Sequence, residues 1–349
     1  MTLLYVVRHA EAEGNIFRRL HGQYNSRLTA DGLRQLEALE KRFSGVPIDA
    51  VYSSDLCRAC QTAQAICGPK GLPLRRDPRL REVGVGVWED RCVGELERTD
   101  AEQLRLFMRH PEAWSVPGAE SFAAFCARFA AALTEIAEAH PGQSVAVVSH
   151  GCVISGGFCR LLGLEHNSSA CDNTGVSLLR YENGVFRLEY LYDNSHLSPE
   201  LSTRTRQRWW REKQGGLFQL WFRDPGPEDE GLYDPDFRPQ PGDWVRSAML
   251  GDTAAGYAVC RGSGISALWL KPEHRHRRMG DQLFGEAMFS LRRQGVRELE
   301  LSVPARCRDA LAFFARLGAA AVRKDGENTV CHMEITVPIP VSVDKAGET

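Results

Sequence analysis

Three cationic positions and one carboxylate give this sequence its chemistry. Arg8 and His9 end the apolar run LLYVV, Arg58 follows DAVYSS in the segment DLCRACQTAQAI, and His150 and Gly151 end the run SVAVVS. Glu82 lies in the irregular stretch PLRRDPRLREVGVGVWED. Arginine presents a planar fork of N–H donors to oxyanions, and histidine adds a second cationic or donor group. Each cationic group stands where a short apolar run breaks to polar residues. With Asn15, they read as a site for a small anion rather than as unrelated surface turns.

The runs before these residues are too short for helices and are predicted as buried strands of an open sheet. Ligands of such sheets bind beyond the carboxyl ends of the strands, which is where Arg8, His9, Asn15 and His150 fall, with Arg58 just past a third strand. Between the strands, Thr29 is predicted to cap a helix carrying Leu33, Leu36, Leu39 and Phe43 at helical spacing. A second helix starts near Asp55, with Arg58 in its first turn beside the positive end of the dipole. Phe122, Phe125, Phe129 and Leu133 mark a third, and an apolar helix covers 153–162. VSLLRYEN and VFRLEYLYD close this part as strands near Leu197.

A chain of 349 residues is comfortable for two domains. The formal net charge of -2 creates no overall field that would attract nucleic acid or an acidic membrane, so any anion site is local. The start MTLLYVVRHAE lacks the basic and long apolar regions of a secretory signal, and no stretch approaches about 18 consecutive apolar residues. A cytoplasmic protein with neither a nucleic-acid nor a membrane partner is expected. Eleven cysteines, an odd number set largely in apolar segments, fit reduced thiols. Cys57 and Cys60 form a lone CxxC with no second pair to complete a zinc site, so no metal is expected.

The first half resembles the histidine phosphatase (phosphoglycerate mutase-like) superfamily. The resemblance rests on Arg8-His9-Ala10 after the first strand, Asn15 seven residues past the arginine, and Val148-Ser149-His150-Gly151. It is reinforced by Leu28-Thr29 with Gly32 and Gln35, Ser53-Ser54-Asp55-Leu56 leading to Arg58-Ala59, Leu80-Arg81-Glu82 leading to Trp88-Glu89, Pro117-Gly118, and Asp193-Asn194-Ser195-His196-Leu197. It implies a three-layer α/β/α domain over 1–198 and a metal-independent phosphomonoesterase acting through a phosphohistidine. His9 takes the nucleophile's role and Glu82 that of proton donor. Arg8 and Arg58 are phosphate clamps, and His150 is a third cation once anions favour its protonated form. Arg8, Asn15, Gln23, Arg58, His150 and Gly151 form the substrate-binding set. The region 88–145 is shorter than in the family's mutases, which favours hydrolysis of a small phosphorylated metabolite over a phosphoglycerate mutase-type transfer.

At 199–216 the composition changes. Arg204, Arg206, Arg208, Arg211 and Lys213 surround Trp209 and Trp210, a pattern read as a linker helix packing its tryptophans between domains. From 217 the pattern restarts with strands LFQLWFR, WVRSAML and AGYAVCR, then a strand, a basic turn and a helix. That last order suits a pyrophosphate cradle built on helix N-terminal amides. The part 217–337 resembles the GNAT acyltransferases, a smaller mixed α/β fold, through Arg277-Arg278-Met279-Gly280-Asp281-Gln282. The resemblance implies an acetyl-coenzyme A site at Leu270, Arg277, Arg278, Met279, Gly280 and Gln282, with an amine as acceptor. Three departures stand out: Gln282 in place of a small residue, Phe314 in place of a tyrosine acid, and a short 223–243 region. The tail, 338–349, is expected to be disordered. A competing reading makes acyl transfer the main activity and the first half regulatory. The complete set Arg8, His9, Arg58, Glu82 and His150 speaks against it.

Overall fold

Short valine-rich runs between amphipathic helices build the first sheet. The computed structural model describes residues 1–214, 218–233 and 237–337. In chain order the first half contains β1 (Thr2–Arg8), α1 (Glu13–Phe17), α2 (Ala30–Phe43), β2 (Ala50–Ser53), α3 (Cys57–Cys67) and β3 (Leu74–Arg76). It continues with α4 (Val93–Thr99), α5 (Ala101–Arg109), α6 (Phe122–Ala139), β4 (Ser144–Ser149), α7 (Gly151–Leu162), β5 (Val176–Glu182) and β6 (Val185–Asp193). The strands form one sheet of order β3-β2-β4-β1-β5-β6. The first four are parallel, and β5 and β6 run antiparallel.

Helices cover both faces. Phe129, Leu133, Ile136, Val153 and Phe158 of α6 and α7 pack on Leu4, Val6, Val145 and Val147. Leu39 and Phe43 of α2 and Ala59, Ala63 and Ile66 of α3 pack on Val7, Val51, Ala146 and Val148. Burying each such aliphatic or aromatic side chain stabilises the fold by roughly 1.5–3 kcal/mol. Thr29 caps α2 by accepting from the Gly32 N–H. Helix α3 begins near Asp55, at Cys57, with Arg58 in its first turn as expected, and the Asp55 carboxylate is held by the Arg81 guanidinium. The parallel register pairs Arg8 with Ser149, so the next residues, His9 and His150, emerge side by side at the sheet's carboxyl edge.

The remainder comprises α8 (Thr203–Gln214), β7 (Trp221–Arg223), β8 (Trp244–Leu250), β9 (Thr253–Arg261), β10 (Gly264–Leu270), α9 (Met279–Arg293), β11 (Glu298–Pro304), α10 (Arg308–Arg316), β12 (Ala320–Asp325) and β13 (Asn328–Glu334). Two antiparallel sheets, β10-β9-β8-β7 and β11-β13-β12, share a core with α9, which buries Leu283, Phe284, Ala287, Met288 and Leu291. The strand expected over LFQLWFR is confined to Trp221–Arg223 among the described residues. Ahead of it, the Gln282 amide replaces ladder bonding, accepting from the Leu220 N–H at 2.8 Å and donating to the Phe218 carbonyl at 2.7 Å.

The segment expected to be a linker enters α8 bound to the first half. Ser202 Oγ donates to Asp172, Thr203 Oγ1 to Glu11, and Gln207 Nε2 to the Asn15 carbonyl. The Trp209 and Trp210 side chains and the tail 338–349 lie outside the described residues. No described helix is long and apolar enough to cross a membrane.

Candidate active site

At the tip of β1 the backbone turns under two constraints. Thr62 of α3 accepts from the Ala10 N–H, and the His9 N–H donates to the Ser149 carbonyl. The His9 ring is buried, with Nδ1 2.7 Å from the Ala10 carbonyl oxygen. A carbonyl only accepts, so Nδ1 carries the proton and Nε2 holds the lone pair. Burial, then the positive charges of Arg58 and Arg8, hold this imidazole well below its ordinary range, so it is neutral at pH 7. A neutral imidazole with a free Nε2 is a competent nucleophile.

His150 faces it, the ring centroids 5.0 Å apart. It is fully buried, and neither of its ring nitrogens has a hydrogen-bond partner. The sequence reading makes His150 a third cation only beside an anion. Burial and the charges of Arg58, His9, Arg8 and Arg128 push His150 well below the histidine range, so it is neutral in this setting. An anion among those cations reverses the sign of their effect, so protonation of His150 belongs to the substrate complex.

Arg8 donates from Nη1 to the Cys171 carbonyl at 2.5 Å, while its buried Nε has no partner. Gly151 lies against this guanidinium: a Cβ there would stand 3.3 Å from the Arg8 Cζ and Nε. Arg58, in the first turn of α3, is fully buried and donates to the carbonyls of Tyr24 at 2.8 Å, Gly22 at 2.8 Å and His21 at 3.2 Å. Burial pulls it down to about 10, against the opposing charges of Glu82 and Glu89, and it stays charged at neutral pH. Asn15 accepts from the Ala12 N–H through Oδ1, at the start of α1.

The Glu82 carboxylate takes the N–H groups of Cys152 at 3.1 Å and Val153 at 3.0 Å, at the beginning of α7 just past His150. Its own carbonyl accepts from Gln23 Nε2 at 3.2 Å. Gln23, Tyr24, Gly84, Gly86, Glu89, Gly118, Ala119 and Glu120 line an open cleft of about 590 Å³. Thus Arg8, His9, Asn15, Gln23, Arg58, Glu82, His150 and Gly151, scattered over 144 positions, converge through direct contacts or single bridging residues. Their unpartnered buried donors are what a phosphate's oxygens would satisfy.

Two supporting residues, Asn173 and Arg128, were not singled out in the sequence, and Glu89 was named only as part of a motif. Asn173 Nδ2 donates to the His9 carbonyl at 2.9 Å and approaches Asn15 Oδ1 at 3.5 Å. Arg128 donates to the carbonyls of Arg79, Arg81 and Glu82 and pairs with Glu120. A lone arginine in the apolar helix FAAFCARFAAAL was the available signal. Glu89 accepts from the N–H groups of Gln23 at 2.8 Å and Tyr24 at 2.9 Å.

The residues assigned to a coenzyme A cradle have different surroundings. The Leu270 carbonyl accepts from Arg275 Nε, the Met279 side chain is in the core, and Gln282 is bound to the 218–220 backbone. A Cβ on Gly280 would stand 3.1 Å from Phe313, so packing alone accounts for the glycine. Asp281, buried in the first turn of α9, pairs with Arg278 at 3.3 Å and Arg316 at 2.5 Å. Arg275, His276 and Arg277 remain an exposed basic turn before the helix, and these charges with the α9 N-terminal amides fit an anionic pyrophosphate. Phe314 packs on Phe284 and Phe313 and offers no acid. Among the described residues no group of three or more metal-ligating side chains occurs.

Residues 4–194 match the histidine phosphatase superfamily (branch 1), and residues 203–319 match the acetyltransferase (GNAT) family. Phosphoserine phosphatase 1 of Hydrogenobacter thermophilus is 32% identical over 185 residues, 52% of this chain and 88% of that protein. A probable phosphoglycerate mutase GpmB of Yersinia pestis is 36% identical over 164 residues, 47% of this chain and 76% of that protein. The structure of Bacillus stearothermophilus YhfR superposes with a TM-score of 0.55 at 29% identity, covering 57% of this chain and all of that one.

Proposed function

The chain belongs to the histidine phosphatase superfamily, and on that premise we propose that it is a phosphomonoesterase that works through phospho-His9 and needs no metal. The observation that carries the reading is the His9 ring: Nδ1 is committed to a carbonyl, and Nε2 is left with the lone pair among Arg8, Arg58 and His150.

Nε2 of His9 attacks the phosphorus of the bound monoester. The P–N bond forms as the P–O bond to the leaving alcohol breaks. Charge on the equatorial oxygens is met by Arg8, Arg58, Asn15 and a protonated His150; removing one such donor typically costs about 3 kcal/mol of transition-state stabilisation. Glu82 in its acid form gives its proton to the departing alkoxide. As carboxylate, it then takes a proton from water, which attacks phosphorus, breaks the P–N bond and releases inorganic phosphate.

The open cleft beside Gln23 and Glu120 supports hydrolysis over mutase-type transfer, and of the similar proteins one is named a phosphoserine phosphatase and another a probable phosphoglycerate mutase. The substrate is a small phosphorylated metabolite whose leaving group lies along Gln23, Tyr24 and Glu120. For the C-terminal part, the basic turn and the α9 N-terminus support binding of acetyl-coenzyme A, which would supply an acyl group for an amine acceptor. Without a hydroxyl at Phe314, the acid for acyl transfer must come from elsewhere. Recovery of acid-labile, base-stable phosphate on His9 during turnover tests the phosphatase reading.

A further inference from the structure

The segment 12–24 carries Asn15 and Gln23, yet little within it favours order. The helix α1 has five residues, far below the length that is stable alone, and it ends on Arg18 in the left-handed region, φ 56°. On one side the first half holds this segment: Arg58 binds its carbonyls and Glu89 its N–H groups. On the other side it rests on α9. The Phe289 ring meets Phe17 at 6.2 Å, His21 at 5.4 Å and Tyr24 at 5.7 Å between centroids. Arg292 pairs with both oxygens of Glu13 at 3.0 and 3.1 Å, its guanidinium 4.9 Å from the same ring. Glu286 takes Arg19 Nη1 at 2.7 Å, and Arg19 Nε reaches Asp90 at 2.8 Å.

Both ion pairs are nearly sealed from water, each side chain 12% exposed or less. Removing one partner of such a pair strands the other charge, and the backbone that carries it must move to reach solvent. That backbone is α1 and the loop whose carbonyls are acceptors for buried Arg58.

We propose that α9 is a positioning element of the phosphatase site, with Phe289, Arg292 and Glu286 as positioning residues that hold Asn15, Gln23 and, through the His21–Tyr24 carbonyls, Arg58 in register for phosphate. This rests on the phosphatase reading for its kinetic form but not for its binding form. The C-terminal part then serves phosphate chemistry whether or not it transfers an acyl group.

The test uses the full chain as wild type, Arg292→Met, Arg292→Lys, Phe289→Leu and, as control for a general loss of C-terminal packing, Leu301→Ala in β11 of the same core. KM and kcat for p-nitrophenyl phosphate and the dissociation constant of inorganic phosphate are measured. Arg292→Met and Phe289→Leu are expected to raise KM and the phosphate constant together by tenfold or more, with kcat changed less than threefold. Arg292→Lys recovers part of the loss, and Leu301→Ala leaves both constants within twofold. Unchanged constants in the first two variants overturn the proposal, as does an equal rise in Leu301→Ala. Should wild type bind phosphate but not hydrolyse the ester, the phosphatase reading fails while the phosphate constants still decide this one.

Discussion

Glu82 has two duties that can be separated. Its carboxylate caps α7 through the Cys152 and Val153 N–H groups, and in the proposed mechanism it also carries the transferred proton. Glu82→Gln keeps a carbonyl oxygen to accept from α7 but cannot shuttle a proton. It should lower kcat by about 10²–10⁴-fold while leaving unfolding free energy within about 0.5 kcal/mol of wild type. Glu82→Ala should lose the same activity and also about 1 kcal/mol of stability, the usual cost of a lost cap. Denaturant titration beside steady-state kinetics reads both; equal stability loss in the two variants would remove the capping role. The sequence marked His9, Arg8, Arg58 and His150 because ionisable groups at strand ends are conspicuous, whereas Glu82, in an irregular stretch, was marked by the family resemblance. It left Asn173 unmarked because a polar residue in a loop looks the same whether it faces water or binds the His9 carbonyl. It gave His150 a charge only beside an anion, and could not show that Arg128 joins Arg8, Arg58 and His9 around the ring, because that neighbour comes from a distant helix.

Strands β1, β4, β2 and the helices after them were legible from apolar periodicity, because burial imposes those patterns directly. Partnerships between distant elements were not. Gln282, read against an acyl-CoA motif, binds the backbone at 218–220, and its neighbour Gly285 is shaped by Phe17 from the other half of the chain. A Cβ on Gly285 would lie 2.7 Å from both Cβ and Cγ of Phe17, closer than side chains tolerate. Gly285→Ala gains about 1 kcal/mol of helix propensity but should forfeit it and destabilise the protein by a net ~1–3 kcal/mol as α1 and α9 are forced apart. A urea unfolding series checks the sign; stabilisation would show that the contact between α1 and α9 is loose.

At the scale of the whole molecule, the phosphatase sheet and the GNAT-like sheets are joined by buried contacts. Phe17 of the first half sits in the core of the second, and Arg19 and Arg292 bridge them through paired charges. Several histidines are buried uncharged in this assembly. His9 and His150 are held well below the histidine range by burial and neighbouring arginines, His21 is lowered by burial, and burial with Arg42 takes His196 down to about 4. The unfolded chain protonates these groups near 6.5 and the folded chain does not, so the unfolded state binds more protons over that interval. Their contribution is therefore complete above pH ~6.5 and is lost as pH falls toward ~4, at up to about 1.4 kcal/mol per pH unit for each histidine. Glu11, raised by burial, acts in the opposite direction as a single group. Unfolding free energies measured from pH 8 to 4.5 should fall steadily below pH 6.5, and a flat profile would mean that these rings are charged in the folded protein.

The central claim is that the lone pair on His9 Nε2 receives the phosphoryl group. Rapid quenching of the enzyme during turnover of a phosphomonoester in the presence of chelator, followed by peptide mass spectrometry, reads it directly. The account predicts phosphate on the peptide containing His9 that survives base and is lost in acid, absent from His9→Ala together with all turnover, while that variant keeps the wild-type unfolding transition. Turnover persisting in His9→Ala, or phosphate appearing only on another residue, would contradict it.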